Sequence, residues 1–408
     1  DKKTNETLLG ANIRVIGGTG TTTNIDGEFI LEGINKFPVE LECSYIGYET
    51  QIKEVKKNEY RVGLTPDSVK KLILKGHDVY IEKNAGKGIG FYDQDYHNIG
   101  ANILESPKQI FDCAELIVKV KEPVKEELPF LSDKHTLFTY LHLAGDIKQG
   151  QELTATGVTG IAYETVTSPN GSFPLLAPMS AIAGQLSIVV GSYHLLKHNK
   201  GMGTLIGSFE AIEPRIVTVI GAGVAGTEAI SKALANNAHV KVIDLSKIRL
   251  GELRKIYGDK NIEYIESTES SISDALLNSD LVIGSVYVVG KQAPKIVTEK
   301  MIRKMQPGSV MVDISIDQGG CFETSRPTFH DEPTFLTGEV VQYCVTNMPG
   351  AVPLTATLAL NKATLPYVLD IAEKGTEGAL NEDKHLFNGL NVRSGKVVHA
   401  AVKEALEL

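Results

Sequence analysis

The sequence predicts an α/β protein with two doubly wound domains, a cleft between them and a small β segment in front. Three observations predict this class. Short apolar strands alternate with helix-like segments in two long blocks, residues 60–174 and 215–345. In the second block an apolar strand leads directly into a glycine-rich turn and a helix. The first 53 residues differ, because they are rich in Gly, Thr and Asn and contain only short β-type runs.

The glycine-rich turn is the most informative element. Residues 217–226 read Val-Thr-Val-Ile-Gly-Ala-Gly-Val-Ala-Gly, and a second apolar strand ends at Asp244. Gly221 allows the tight turn, Gly223 lets the backbone approach a pyrophosphate, and Gly226 lets the helix pack closely on the strand. Asp244 can accept hydrogen bonds from ribose hydroxyls, and its charge would repel a 2′-phosphate. A Rossmann-like domain that binds NAD rather than NADP is therefore expected.

Composition excludes several classes of protein. The 408 residues are 42% hydrophobic and 22% charged, as in ordinary globular proteins, and the net charge of −9 gives no support for a nucleic-acid partner. The four cysteines are scattered, so neither a metal site nor a disulfide framework is expected. No secretory signal is recognised, and a cytoplasmic location is expected. The apolar run 175–196 contains Pro, Gln, His and several small residues, which favours a buried linking helix over a membrane span.

Four polar side chains lie at or beside predicted strand ends. Arg61 precedes the helix that begins at Thr65-Pro66, while Lys121 and His142 follow apolar strands. Asp317 follows another strand and precedes a glycine pair. Each residue alone is more commonly a solvated charge or a structural histidine. Because ligands of open α/β sheets bind at the carboxyl ends of strands, together they are typical of a site for a carboxylate substrate beside a nicotinamide.

These segments resemble the alanine dehydrogenase family over residues 54–408. The matching segments are collinear, and they are 58–66 (Asn-Glu-Tyr-Arg-Val-Gly-Leu-Thr-Pro), 118–123 (Val-Lys-Val-Lys-Glu-Pro), 138–144 (Phe-Thr-Tyr-Leu-His-Leu-Ala), 161–165 (Ile-Ala-Tyr-Glu-Thr), 175–180 (Leu-Leu-Ala-Pro-Met-Ser), 313–323 (Asp-Ile-Ser-Ile-Asp-Gln-Gly-Gly-Cys-Phe-Glu) and 347–349 (Asn-Met-Pro).

The resemblance implies NAD-dependent oxidative deamination of L-alanine to pyruvate and ammonium, and the reverse amination. It implies that Arg61 and Lys121 hold the substrate, that His142 is the general acid/base and that Asp317 organises water or ammonia. The family is typically a homohexamer, and the resemblance implies no metal. The residues that it implies for NAD binding, together with the glycine motif, are Ser180, Gly221, Gly223, Val224, Gly226, Asp244 and Asn347.

Alternative functions remain open from the sequence. The proton-translocating transhydrogenase shares this architecture but resembles the chain less in segments 176–180 and 317–323. Saccharopine-type dehydrogenases use a similar set of Arg, Lys and His without these segments. A catalytically inactive NAD-binding chimera would be favoured if a catalytic residue were missing, and none is.

The first 53 residues resemble the carboxypeptidase-regulatory-like β-sandwich that precedes the plug of TonB-dependent receptors. The matching segments are 9–15, 23–31 and 43–50. The resemblance implies interaction or structure rather than catalysis, and it implies another compartment, which is compatible with a chimeric or engineered chain.

The expected domain organisation is a β segment (1–53), a substrate domain (54–174 with 353–408) and an NAD domain (175–352). The usual first strand of the alanine dehydrogenases is missing. We therefore expect part of residues 45–55 to join the sheet of the substrate domain, leaving residues 1–40 as a satellite β-unit. If residues 45–55 pair only within the N-terminal segment, Arg61 should be displaced.

Overall fold

The structure is a computed structural model that describes residues 59–143, 147–288 and 292–406, and the backbone of four strands nearer the N-terminus. The chain divides into two compact units, Asp1–Glu59 and Tyr60–Leu408. In the described part of the chain, no helix is both long and apolar enough to cross a bilayer.

The described strands of the first unit form one antiparallel sheet in the order β2-β1-β3-β4. Strand β4 pairs with β3 from Cys43 opposite Gln51 to Val39 opposite Val55. The expectation that this stretch joins the sheet of the substrate domain is therefore wrong for residues 51–55, and residues 45–50 lie outside the described residues. Pairing with a strand nearby in sequence requires less loop-closure entropy than pairing with a distant one. The four strands are β1 (Asn12–Val15), β2 (Gly20–Thr22), β3 (Val39–Ser44) and β4 (Gln51–Val55).

The first part of the second unit alternates short strands with helices, and it ends with the long helix α5. In chain order its elements are α1 (Pro66–Leu74), β5 (Tyr80–Glu82), α2 (Asp93–His97), β6 (Asn102–Leu104), α3 (Pro107–Cys113), β7 (Leu116–Val118), β8 (Thr136–Thr139), α4 (Ile147–Ala155), β9 (Thr159–Ala162) and α5 (Ala177–His194).

A regular strand–helix alternation follows, and the chain ends in helices around a short hairpin. These elements are β10 (Ile216–Ile220), α6 (Val224–Ala235), β11 (His239–Asp244), α7 (Lys247–Tyr257), β12 (Ile262–Glu266), α8 (Glu269–Leu277), β13 (Leu281–Gly284), α9 (Glu299–Ile302), β14 (Val310–Asp313), β15 (Thr334–Thr337), β16 (Val340–Tyr343), α10 (Pro353–Glu382), α11 (Lys384–Phe387), β17 (Leu390–Arg393), β18 (Lys396–Val397) and α12 (Ala400–Ala405).

The larger sheet of the second unit has the doubly wound order β12-β11-β10-β13-β14-β16-β15 within the described residues. Its strands are parallel except for β15, which pairs antiparallel to β16. Its central strands are apolar and fully buried, and separate apolar clusters cover the two faces. Strand order reverses between β10 and β13, so the carboxyl ends of these strands border a crevice.

The smaller sheet has the order β18-β17-β9-β8-β7 in the described part of the chain. Strands β7, β8 and β9 are parallel, and β17 returns from near the C-terminus to pair antiparallel with β9. Strands β5 and β6 form a separate parallel pair, although their side chains share an apolar core with β7 and β8. Two large α/β sheets with a cleft between them confirm the predicted fold class.

Helix α5 is the segment whose composition resembles a membrane span. It packs against α6 so closely that a Cβ on Gly184 would lie 2.1 Å from the Ala225 carbonyl oxygen. A Cβ on Gly191 would likewise overlap the side chain of Leu281 on β13. Seven of its 18 residues are buried, while Val189 and Tyr193 are about half exposed. The apolar composition therefore follows from packing inside the protein.

Candidate active site

A cavity of about 630 Å³ lies where the carboxyl ends of the strands from the two sheets meet. It is lined from the smaller sheet by residues after β7, β8 and β9, and from the larger sheet by residues after β13 and β14. The strand-end rule therefore predicted the edge of the sheets at which this cavity lies. Of the predicted site residues, six line this cavity: Arg61, Lys121, His142, Ser180, Asp317 and Asn347.

Arg61 is buried and lies at the cavity wall. Its Nη2 donates to Asn347 Oδ1 at 2.8 Å, and its Nη1 contacts Met179 Sδ at 3.4 Å. The phenol of Tyr140 lies beside it and donates to the Leu175 carbonyl oxygen at 2.6 Å. Burial raises the pKa of Tyr140 well above its usual range, and the charge of Arg61 offsets this only in part. A neutral phenol therefore stays beside a permanent cation.

The expected displacement of Arg61 does not occur, because its loop is fastened to helix α10. The Val62 amide donates to Thr357 Oγ1 at 3.2 Å, and the Thr65 amide donates to Asn361 Oδ1 at 2.8 Å. The Asn361 amide group also donates to the Val62 carbonyl oxygen. Side chains of α10 thus satisfy backbone groups of the loop that directly follows Arg61, from Val62 to Thr65.

Lys121 and His142 share a carboxylate, that of Glu122. Glu122 Oε2 lies 3.4 Å from His142 Nδ1 and 3.8 Å from Lys121 Nζ. Burial alone would raise the pKa of Glu122, but the hydrogen bond from His142 and the charge of Lys121 outweigh it and lower that pKa to about 2. Glu122 is therefore a fixed negative charge that can orient the imidazole. Lys119, two residues before Lys121, does not line the cavity, and its ammonium pairs with Glu127.

The backbone of His142 is unusual. Its φ of 48° lies in the left-handed region, which costs about 1–2 kcal/mol for a residue with a side chain. Glu164 accepts hydrogen bonds from the amides of His142 and Leu141, with Oε1 at 2.6 and 3.1 Å. The imidazole stacks on the Tyr140 ring with centroids 5.6 Å apart. The ring is therefore fixed both through its backbone and along its face.

Asp317 lies on the opposite wall, on a single-turn 3₁₀ helix, Ile314–Gln318, directly after β14. The buried carboxylate of Asp313 holds this turn by accepting from the amides of Ser315 and Cys321 at 3.0 and 2.8 Å. Burial raises the pKa of Asp313, and these hydrogen bonds act against that rise. Left-handed glycines at 319 and 320 then reverse the chain. Asp317 is thus presented to the cavity by a well-anchored turn.

The predicted glycine residues lie at the end of β10, beside the cavity. A Cβ on Gly226 would be 1.8 Å from the Gly221 carbonyl oxygen, whereas nothing lies within 4 Å of a Cβ on Gly223. Gly221 has a φ of 99°, so the tight turn needs glycine there. Helix α6 begins at Val224 without a side-chain cap, which leaves its first amides available to a phosphate. The open edge at Gly223 and these amides fit a dinucleotide pyrophosphate.

Asp244 ends β11 and accepts two backbone hydrogen bonds, from Ala222 and Ser246, each at 2.7 Å. Each carboxylate oxygen keeps a second lone pair, which fits the ribose hydroxyls of a nucleotide. Arg249 donates to the Ala222 carbonyl oxygen at 2.9 Å and so holds the next peptide group of the same turn. Arg249 was not predicted from the sequence.

Sequence reasoning also missed Glu122 and Glu164. A carboxylate beside a lysine looks like an ordinary solvated charge, and Glu164 is one acid among fifty Asp and Glu residues. Their position is the signal that could have found both. Glu122 comes shortly after β7 and Glu164 shortly after β9, at the same sheet edge as His142.

Comparisons with known proteins agree with this architecture. Residues 51–183 match the alanine dehydrogenase/PNT N-terminal domain, residues 187–400 match the corresponding C-terminal domain, and residues 1–71 match a CarboxypepD_reg-like domain. The alanine dehydrogenase of Halomonas elongata is 48% identical over 87% of this chain and 96% of its own length. That of Methanococcus maripaludis is 46% identical over 87% and 95%.

Solved structures give the same picture. An L-alanine dehydrogenase superposes with a TM-score of 0.82 at 45% identity, covering 87% of this chain and 98% of its own. A transhydrogenase from Sinorhizobium meliloti reaches 0.72 at 25% identity, covering 85% and 98%. The match to the alanine dehydrogenases is closer in both sequence and structure. From Tyr60 onward, the two sheets, the cavity and the glycine turn are those of an NAD-binding enzyme, and the chain belongs to the alanine dehydrogenase/PNT family.

Proposed function

We propose that the chain converts L-alanine, NAD⁺ and water into pyruvate, ammonium, NADH and a proton, and catalyses the reverse reductive amination. The observation that carries this proposal is the composition of the cavity. A guanidinium from the loop before α1 and an ammonium and an imidazole from the smaller sheet share the cavity with a carboxylate from the larger sheet, beside the dinucleotide cradle. These groups match the needs of a small amino acid whose α-carbon loses a hydride.

Substrate binding is assigned to two cations. A guanidinium can hold a carboxylate through two parallel hydrogen bonds, and Arg61 is fixed for this by its buried loop. Lys121 would hold the carbonyl oxygen of pyruvate, with its charge balanced by Glu122. The cavity offers an alanine methyl group apolar contact with Leu143 and Met179.

Proton transfer is assigned to His142. A bound nicotinamide would supply the acceptor for the hydride that leaves the substrate α-carbon. His142 then removes a proton from the water that attacks the imino carbon, and it delivers a proton to the amine as the carbinolamine collapses. Glu122 stabilises the imidazolium formed between these transfers, and Asp317 orients the attacking water or the ammonia.

Cofactor binding is assigned to the cradle at the end of the larger sheet. The amides at the start of α6, from Val224 onward, would hold the pyrophosphate, and Asp244 would bind the ribose and disfavour a 2′-phosphate. Ser180 and Asn347 would contact the nicotinamide half, because both line the cavity near Arg61.

The domain roles and assembly are further parts of the proposal. Residues 54–174 with 353–408 would act as the substrate domain and residues 175–352 as the NAD domain. Subunit contacts in a homohexamer are supported by exposed apolar side chains on helix α5 and on the loop after it. Monomeric proteins rarely expose large contiguous apolar patches. Those side chains are Val189, Tyr193, Leu205, Phe209 and Ile212. Sedimentation of the purified protein tests the hexamer, and cell fractionation tests the proposed cytoplasmic location.

The site assignment is tested by steady-state kinetics of four alanine variants. His142→Ala and Asp317→Ala should lower kcat about 100-fold or more with little change in NAD binding, because both act on the reacting centre. Arg61→Ala and Lys121→Ala should mainly raise the KM for alanine and pyruvate. Lys119→Ala is the matched control, since it removes a lysine two residues away that does not line the cavity. Near-normal turnover and KM in any two of the four variants would show that the site is misassigned.

A further inference from the structure

The hydrogen-bond ladder between β8 and β9 ends before the site begins. The two strands pair in parallel up to Thr139 opposite Ala162, and the chain then continues through Tyr140 and Leu141 to His142. The Tyr140 amide still donates to the Val120 carbonyl oxygen at 3.3 Å, whereas the amides of Leu141 and His142 need partners outside the strand pairing.

Glu164 supplies those partners. It lies on the 3₁₀ turn Tyr163–Thr165 that directly follows β9, so its side chain stands beside the extension of β8. Its Oε1 accepts from the amides of His142 and Leu141 at 2.6 and 3.1 Å, and its Oε2 lies 3.3 Å from the Leu141 nitrogen. One carboxylate thus accepts hydrogen bonds from two consecutive backbone amides beyond the end of the ladder.

The residue held in this way has a strained backbone. His142 has a φ of 48°, a conformation that persists in a residue with a side chain only when its surroundings impose it. A change of φ at this position would swing the imidazole away from Glu122 and from the ring of Tyr140. The direction of the acid/base group therefore depends on what holds the amide of residue 142.

We propose that Glu164 is a positioning residue for the reaction. It accepts hydrogen bonds from the amides of Leu141 and His142 and so holds His142 in the left-handed conformation. This conformation keeps the imidazole directed into the cavity. It takes no proton and binds no substrate. This inference rests on the proposed role of His142, and it adds a residue that acts only through that histidine.

The test is a double-mutant cycle between Glu164→Ala and His142→Ala, measured with L-alanine and NAD at high enzyme concentration. In the parent enzyme Glu164→Ala should lower kcat about 10- to 100-fold, as expected for a misplaced catalytic group. In the His142→Ala background the same change should have an effect of less than about 2-fold. An equal loss in both backgrounds would overturn the proposal, because Glu164 would then act on substrate or on the fold directly.

Two further variants separate the hydrogen bonds from the charge and from general damage. Glu164→Gln keeps an oxygen that can accept both amides, so it should retain activity within about 3-fold of the parent. A loss as large as that of Glu164→Ala would contradict a role through hydrogen bonding. Asp280→Ala is the matched control. Asp280 is a buried carboxylate that accepts a hydrogen bond from the Ile216 amide at 2.8 Å, and it does not line the cavity.

A crystal structure of Glu164→Ala gives a readout that does not depend on turnover. It should show residue 142 outside the left-handed region or its imidazole rotated away from Glu122, while Glu164→Gln should keep both. An unchanged His142 in Glu164→Ala would refute the inference even if the alanine assignment stands. An inactive parent enzyme in which His142 nevertheless moves would instead refute the alanine assignment alone.

Discussion

His142 is exposed enough to meet a substrate, yet three neighbours fix its direction. Glu164 holds its amide, Glu122 lies at Nδ1 and Tyr140 covers one face of the ring. An acid/base group must present the nitrogen that transfers the proton in one direction, and the other nitrogen must keep its proton. The carboxylate of Glu122 meets that second need because it stays ionised.

The role of Glu122 gives a pH prediction. Since the pKa of Glu122 is lowered to about 2, its charge is present throughout the working range of the enzyme. Glu122→Gln removes that charge and leaves Lys121 and His142 without the carboxylate that they share. Because Glu122 stays ionised throughout that range, kcat/KM for alanine should fall about 10-fold at every pH in it. An unchanged kcat/KM would show that Glu122 supports neither the lysine nor the imidazole.

At the residue scale the reactive side chains could be predicted, but their supports could not. Lys121, His142 and Asp317 follow strands and Arg61 precedes helix α1, and all four line one cavity. Glu164 is recognisable only once β9 is known to lie beside β8, because its role is to hold backbone groups that belong to another strand.

At the element scale the decisive contact is between the Arg61 loop and helix α10. Nearly 300 residues of chain separate these elements, and the contact consists of buried hydrogen bonds. The sequence-based expectation assumed that a preceding strand must hold the loop, and it was wrong because it considered only local neighbours. Asn361 and Thr357 look like ordinary polar helix residues until the fold brings them to the loop.

Asn361→Ala tests this fastening. The substitution leaves the buried Thr65 amide and the Val62 carbonyl without these partners, and each unsatisfied group costs about 1–3 kcal/mol. We expect the free energy of unfolding to fall by about 2–4 kcal/mol and the KM for alanine to rise, because Arg61 loses its rigid support. Denaturant unfolding and steady-state kinetics measure the two effects.

The neighbouring Lys362→Ala is the control for Asn361→Ala, because Lys362 lies next in the same helix with its side chain exposed. It should leave both quantities unchanged within error. A normal KM for alanine in Asn361→Ala would show that the loop is held by something other than α10.

At the scale of the whole molecule, the two sheets divide the chemistry. The loop before α1 contributes Arg61, the smaller sheet contributes Lys121 and His142, and the larger sheet contributes the glycine turn, Asp244 and the turn that bears Asp317. The sequence predicts this division because strand–helix alternation and the glycine-rich turn are patterns of residues close together in the chain. The antiparallel return of β17 to β9 is not local, and helical pattern alone gives no sign of it.

The resemblance to the alanine dehydrogenases does not extend over most of the N-terminal unit. Its described strands form their own antiparallel sheet, and the described residues that line the cavity, from Arg61 to Ala405, belong to the second unit. The match of residues 1–71 to a CarboxypepD_reg-like domain is consistent with a separate β module. We therefore expect the dehydrogenase reaction to depend on residues from Tyr60 onward.

The most direct test of the central proposal is a substrate panel for the purified full chain. NADH formation is measured with L-alanine, serine, 2-aminobutyrate, glutamate and lysine under the same conditions. Alanine should give the highest kcat/KM, with serine and 2-aminobutyrate lower by about 1–3 kcal/mol in transition-state binding, since a hydrophobic pocket discriminates one methylene only weakly. A clear preference for glutamate or lysine, or no NADH with any of the five, would contradict the assignment.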